Sequence, residues 1–190
     1  AIAGDIAEGP CLAAKNTMSM HGMKGKVEVR LGSGLKVLQA GEADCIAIAG
    51  MGASTMIEIL EADMPLAVEA KRLVLQPMAG AASLRKWLIQ NGWCIVAEDL
   101  VADGRHLYEI MAVERGESEA FSDAVLEIGP SLIEAKHPLL AKQFARQINN
   151  YKKLLANMGK SEQARASEKY IAWEKLVQEL EALADACNCK

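Results

Sequence analysis

Asp44-Cys45-Ile46-Ala47-Ile48-Ala49-Gly50, followed at once by Met51-Gly52-Ala53-Ser54, is the stretch on which the reading of this chain turns. Its apolar residues run on without alternation and stop at a glycine-rich turn. A strand with one wet face alternates, whereas an unbroken run marks a parallel strand expected to be covered on both faces. Thr55–Leu60 then opens a helix, so the segment is the strand–turn–helix half of a βαβ unit.

The same rhythm extends both ways. Upstream, Ala1–Asp5 is strand-like, and Glu8-Gly9-Pro10 opens a helix to about Met20, with proline in its first turn. Lys26–Leu31 alternates with period two before Gly32-Ser33-Gly34 ends it. Downstream, Arg72–Gln76 reads as a second buried strand stopped by Pro77, and Ala81–Asn91 as a helix with Gly92 at its cap. Trp93–Val101 and His106–Glu114 flank Asp103-Gly104, a hairpin signal, so the sheet is expected to finish with an antiparallel pair. Residues 116–135 read as linker with one short helical piece.

After Pro138, Leu140, Phe144, Ile148, Tyr151 and Leu155 recur at three and four, and Asn157-Met158-Gly159 interrupts them. A second helix from Ser161-Glu162 carries Trp173, Leu176, Val177, Leu180, Leu183 and Ala184. The expected organisation is therefore α/β: a Rossmann-like, doubly wound, mostly parallel sheet over 1–135, and a C-terminal antiparallel α-hairpin over 136–190. Because Ala1 already lies in a strand-like run, a neighbouring strand upstream of it is expected.

Composition narrows the function. At 51% hydrophobic and 24% charged, the 190 residues can build a core, and the absence of any long apolar run or basic apolar leader points to the cytoplasm. Five cysteines, an odd number, read as reduced thiols. Residues 1–135 hold 11 basic and 19 acidic side chains, whereas 136–190 hold 10 and 6. Lys136, Lys142, Arg146, Lys152, Lys153 and Lys160 occur in a stretch without a single acid, which suits a phosphate backbone. The competing reading is a solvated face neutralised by glutamates of the second helix.

In open parallel sheets ligands bind at the carboxyl ends of the strands. Asp5 closes the first strand, where a carboxylate can hold both hydroxyls of a ribose or simply cap a helix. Gly32, Ser33 and Gly34 close the next and admit a flat ligand; Gly50, Met51 and Gly52 close the central strand; Gln76 can supply an amide to the same cleft. No dinucleotide fingerprint, phosphate loop, zinc spacing or nucleophile elbow is present, and Cys187-Asn188-Cys189 reads as a chain end. Nucleoside binding with simple group transfer remains.

Taken in order, Ala3-Gly4-Asp5 with Glu8-Gly9-Pro10, Arg30-Leu31-Gly32-Ser33-Gly34-Leu35, Ile48-Ala49-Gly50-Met51-Gly52, Leu75-Gln76-Pro77 and Asp103-Gly104 with Tyr108-Glu109-Ile110 resemble the bacterial TrmK family. These are S-adenosylmethionine-dependent tRNA methyltransferases acting on adenine N1 at position 22. The resemblance implies a class I methyltransferase fold with an antiparallel last strand. It implies that Asp5 holds the cofactor ribose, that Gly32, Ser33 and Gly34 surround its adenine, and that Gly50, Met51 and Gly52 lie beside the transferred methyl. Ser33 stands where Asn or Asp is expected, and Met78 where Asn is. Tyr108 or Met51 would pack against the target base, and Lys142, Arg146, Lys152 and Lys153 would grip tRNA. It also implies a first strand with a loop for the methionine part of the cofactor, upstream of Ala1. A monomer without metal is expected. The alternatives are a methyltransferase of another substrate class, a non-enzymatic Rossmann-like interaction protein and, less favoured, a nicotinamide enzyme.

Overall fold

The computed structural model describes residues 1–189; Lys190, the last residue of the expected hairpin unit, lies outside them. Strand β1 (Ile2–Asp5), helix α1 (Glu8–Met20) and strand β2 (Glu28–Leu31) make one parallel βαβ unit. A single 3-10 turn (Gly34–Val37) leads to β3 (Cys45–Gly52), α2 (Ala53–Ala62), α3 (Met64–Glu69), β4 (Arg72–Ala79) and α4 (Ala81–Gln90). Strands β5 (Trp93–Asp103) and β6 (His106–Arg115) form the antiparallel hairpin, and β6 inserts beside β4.

Two features differ from the expectation of one doubly wound sheet. The strands form two ladders, β1-β2 and β3-β4-β6-β5, so β1 and β3 each keep one edge without a strand among the described residues. The halves are joined by apolar contact instead: Leu35 and Leu38, from the segment after β2, enter the same core as Ile46, Ile48, Met56 and Leu60. Moreover, β3 is covered on one face only. Ile46 and Ile48 are buried against α2 and α4, while Cys45, Ala47 and Ala49 are exposed. The unbroken apolar run therefore belongs to an edge strand of its ladder among the described residues, with a helix on one face only.

The expected linker is also structured. Ser122 caps α5 (Asp123–Ile128) by accepting the Val125 N–H, and α6 (Pro130–Glu134) follows; Ala124, Ile128 and Leu132 are buried. The hairpin consists of α7 (Leu140–Met158), the short α8 (Glu162–Arg165) and α9 (Glu168–Ala186). The helix expected from Ser161 is divided because the Ser167 hydroxyl accepts the Tyr170 N–H and starts a new one. A second core joins Leu100 and Leu107 of the β-hairpin to Ile128, Leu132, Leu140, Phe144, Leu180 and Ala184. Burying a Leu or Phe side chain is worth about 1.5–3 kcal/mol each, so this seam fastens the α-hairpin to the sheet. No helix among the described residues is long and apolar enough to cross a membrane.

Candidate active site at the strand ends

The ends of β1 and β2 are held together by backbone: the Gly32 N–H donates to the Asp5 carbonyl at 2.9 Å. The Asp5 carboxylate accepts the Ala7 N–H through Oδ1 at 2.8 Å, which fixes the turn into α1 and commits one of its two oxygens. Gly4 and Gly32 are glycines for a steric reason. A Cβ on Gly4 would stand 2.7 Å from Val37 Cγ2, and one on Gly32 2.8 Å from Val37 Cγ1. Val37 therefore plugs both strands from the 3-10 turn. That turn is braced by Arg30, which donates to the Val37 carbonyl at 2.7 Å and grips Glu42 with both amino groups at 2.6 Å. The guanidinium, helped by the Gln39 N–H, holds the Glu42 carboxyl down to about 2. Ser33 is exposed at the start of the turn.

Gly50 is a bulge in β3. Ala49 pairs with Gln76 and Met51 with Pro77, which leaves Gly50 as the extra residue, at φ 78°. Nothing lies within 4 Å of where its Cβ would be, nor of Gly52's, so both open onto free space at the carboxyl end of the strand. Gln76 braces this bulge. Its Oε1 accepts the Gly50 N–H at 3.0 Å and its Nε2 approaches Met78 Sδ at 3.6 Å, so the amide supports the bulge. Met51 remains 39% exposed. Tyr108 is half-buried on β6, its ring 6.1 Å from that of His106.

The four basic residues expected to grip RNA do not behave alike. Lys142 and Lys153 are exposed and form no ion pair among the described residues. Lys152 is paired with Glu181 of α9 at 2.6 Å. Arg146 is turned into the protein, where it bonds the Leu107 carbonyl and the Glu109 carboxylate. The Arg146 guanidinium is thus engaged by β6, unlike those of a free phosphate-binding face. Among the described residues no group of three or more His, Cys, Asp or Glu side chains is placed to hold a metal ion.

A family model described as tRNA (adenine(22)-N(1))-methyltransferase, TrmK, matches residues 1–181. The chain belongs to the TrmK family. It is 34% identical over 155 residues to the tRNA (adenine(22)-N(1))-methyltransferase of Bacillus subtilis, covering 79% of this chain and 65% of that protein. The chain thus spans just under two thirds of that relative. Its fold matches the crystal structure of the B. subtilis m1A22 tRNA methyltransferase TrmK with a TM-score of 0.79 at 30% identity, covering 98% of this chain and 81% of the other. The Streptococcus pneumoniae protein Sp1610, in complex with S-adenosyl-L-methionine, is similar with a TM-score of 0.81 at 29% identity, over 96% and 79% of the two chains.

Asp5, Gly32-Ser33-Gly34 and Gly50-Met51-Gly52 lie at the carboxyl ends of β1, β2 and β3. Two elements around them were not read: the Arg30–Glu42 brace and the Val37 plug. The signal for the first was there, since Arg30 is a charge between strand residues Val29 and Leu31 with Glu28 and Glu42 nearby. Nothing in the sequence marks Val37.

Proposed function

We propose that this chain transfers a methyl group from S-adenosylmethionine to N1 of an adenine in tRNA, at position 22. The observation that carries this reading is the Gly50 bulge: two residues before the end of β3 the backbone turns to positive φ and is open where a side chain would otherwise stand. Such an opening beside Met51 lets a planar base approach a reacting centre closely. Asp5, with one oxygen committed to Ala7 and one left over, suits the ribose, and the Gly32-Ser33-Gly34 turn suits the adenine of the cofactor. A strand supplied between the open edges of β1 and β3 would join the two ladders and bring the remaining part of the cofactor site.

Bound S-adenosylmethionine supplies an electrophilic methyl on a sulfonium. Adenine N1 already carries an in-plane lone pair at neutral pH, so the protein's task is alignment and exclusion of water, not proton removal. N1 is occupied in paired RNA, so the base has to be unpaired or flipped before it reaches Met51 and Tyr108. Lys142 and Lys153, unpaired on the outer face of α7, would take the phosphate backbone. Cytoplasmic location and action as a monomer belong to the same reading.

Calorimetric titration of S-adenosylmethionine into the full-length protein and into its Asp5→Ala variant tests the site. We expect binding by the first and about tenfold weaker binding by the second, the loss of about one charge-assisted hydrogen bond. Equal affinity would remove Asp5 from the site. Transfer of labelled methyl to a tRNA with adenine at position 22, but not to one with guanine there, tests the substrate.

A further inference from the structure

Arg85 of α4 is 1% exposed, and its guanidinium is used entirely inside the protein. Nε donates to Glu98 at 2.6 Å, Nη1 to the Leu126 carbonyl at 2.7 Å and Nη2 to Glu109 at 2.7 Å. Glu98 also accepts the Ser131 N–H at 2.9 Å, which ties in the start of α6. Glu109 accepts in addition from Arg146 of α7, whose other amino group donates to the Leu107 carbonyl at 2.5 Å. Gly129 crosses this cluster as bare backbone: a Cβ there would stand 2.9 Å from Glu98 Oε2 and 3.0 Å from Arg85 Nη2. Two guanidiniums and two carboxylates thus form one neutral group, buried at Arg85, Glu98 and Glu109 and partly exposed at Arg146, that spans α4, β5, β6, α6 and α7.

Such a cluster is poor evidence for stability, because apolar side chains of equal volume often hold a seam as well. What it adds is direction. The apolar contacts of Leu140, Phe144 and Leu180 would tolerate sliding or tilting, whereas a planar guanidinium fork accepts one orientation. The two acceptors of Arg146 are also telling. They belong to Leu107 and Glu109, the residues on either side of Tyr108, which points to the opposite face of β6.

We propose that Arg146 is a positioning residue: by clasping β6 on both sides of Tyr108 it sets the α-hairpin at a fixed angle to the candidate cleft, so that RNA held on α7 presents its base there. The inference rests on the methyltransferase reading. Gln143 and Gln147, on the same face of α7, donate to the Glu127 carbonyl and mark where the clasp ends. Lys153 lies seven residues beyond Arg146, about 10 Å along the helix at 1.5 Å per residue, so a tilt of about 10° at the clasp moves it by about 2 Å. Displacements of that size at a reacting centre cost an enzyme tenfold or more.

The test compares Arg146→Lys and Arg146→Met with the wild type in the full-length protein. Lysine keeps the charge but cannot reach two acceptors as a fork, and it leaves Arg85 and Glu109 paired should methionine prevent folding. Three quantities are read: S-adenosylmethionine affinity, KM and kcat for tRNA methylation, and amide exchange across residues 105–110. We expect unchanged cofactor affinity, a KM for tRNA raised about tenfold against a smaller change in kcat, and faster exchange at Leu107–Glu109. Unchanged KM despite faster exchange would overturn the positioning role. Loss of cofactor binding together with a collapse of thermal stability in both variants would overturn it also, by making Arg146 a structural residue. A wild-type protein that methylates no tRNA would overturn the methyltransferase reading itself, and the exchange data would then judge the clasp alone.

Discussion

At the ends of β1 to β4 the molecule is shaped by missing side chains: Gly4 and Gly32 admit Val37, and Gly50 leaves a gap near the end of β3. At the seam between β6 and α7 it is shaped by full ones, with Arg85, Glu98, Glu109 and Arg146 filling the interior with paired charge. Errors therefore have opposite consequences in the two regions. Adding a methyl group breaks the first by overpacking; removing a charge breaks the second by orphaning its partner.

The largest effect is expected at the seam. Glu109→Leu leaves Arg85 with Glu98 as its one carboxylate and Arg146 with none, so the cluster carries one uncompensated positive charge, and should cost about 3–5 kcal/mol in urea unfolding. A loss below 1 kcal/mol would show that water reaches the cluster and that the contrast between the regions is false. Next comes Gly4→Ala, whose Cβ meets Val37 at 2.7 Å; overpacking there should cost about 1–3 kcal/mol. The double variant with Val37→Ala should recover most of it, a coupling that only a direct clash produces. Gly50→Ala meets no atom and should cost about 1–2 kcal/mol through its φ of 78° alone, with no rescue available from a neighbour.

The same contrast explains what could be read from the sequence. Glycine-shaped turns are local: Gly32-Ser33-Gly34 and Gly50-Met51-Gly52 announce themselves within three residues, next to apolar runs whose period identifies strands. The ion cluster is non-local, since Arg85 and Arg146 meet Glu109 from 24 and 37 residues away. Its one trace is Glu109 itself, a charge at a position of β6 whose fellows Leu107, Met111 and Val113 are buried. The contacts of Arg146 with Leu107 and Glu109 were hidden for the same reason: a count of charges on a helix does not tell which face meets the protein. The division into two ladders was equally out of reach, because strand order is set by pairing and not by the period of either strand.

The surface of α7 separates charges that are spent from charges that are available. Lys153→Glu should leave stability within about 0.5 kcal/mol, because no ion pair is lost. It should weaken tRNA binding and lower the salt slope of that binding by about 1 or more. Lys152→Glu, which breaks a half-exposed pair with Glu181, should cost about 0.2–1 kcal/mol of stability, visible as a small fall in Tm. A Lys152 variant that mattered more to tRNA than the Lys153 variant would reverse this assignment.

The smallest effect tests the edge of the seam, where a carboxylate has only partial compensation. Burial raises the Glu127 carboxyl above its usual range, and the Tyr151 hydroxyl, which donates to it at 2.5 Å, offsets this only in part. A carboxyl raised in the folded state binds its proton more tightly there than in the unfolded chain. Stability contributed by this group is therefore full below the unfolded value of about 4.3 and falls as pH climbs through the raised folded value. Glu127→Gln keeps an acceptor for Tyr151 and removes the charge. Its Tm should match the wild type's near pH 4 and exceed it slightly at pH 7–8. The opposite order, with wild type the more stable at neutral pH, would mean that Glu127 draws on a positive charge as Glu109 does, and the ion cluster would then extend to the outer face of α5.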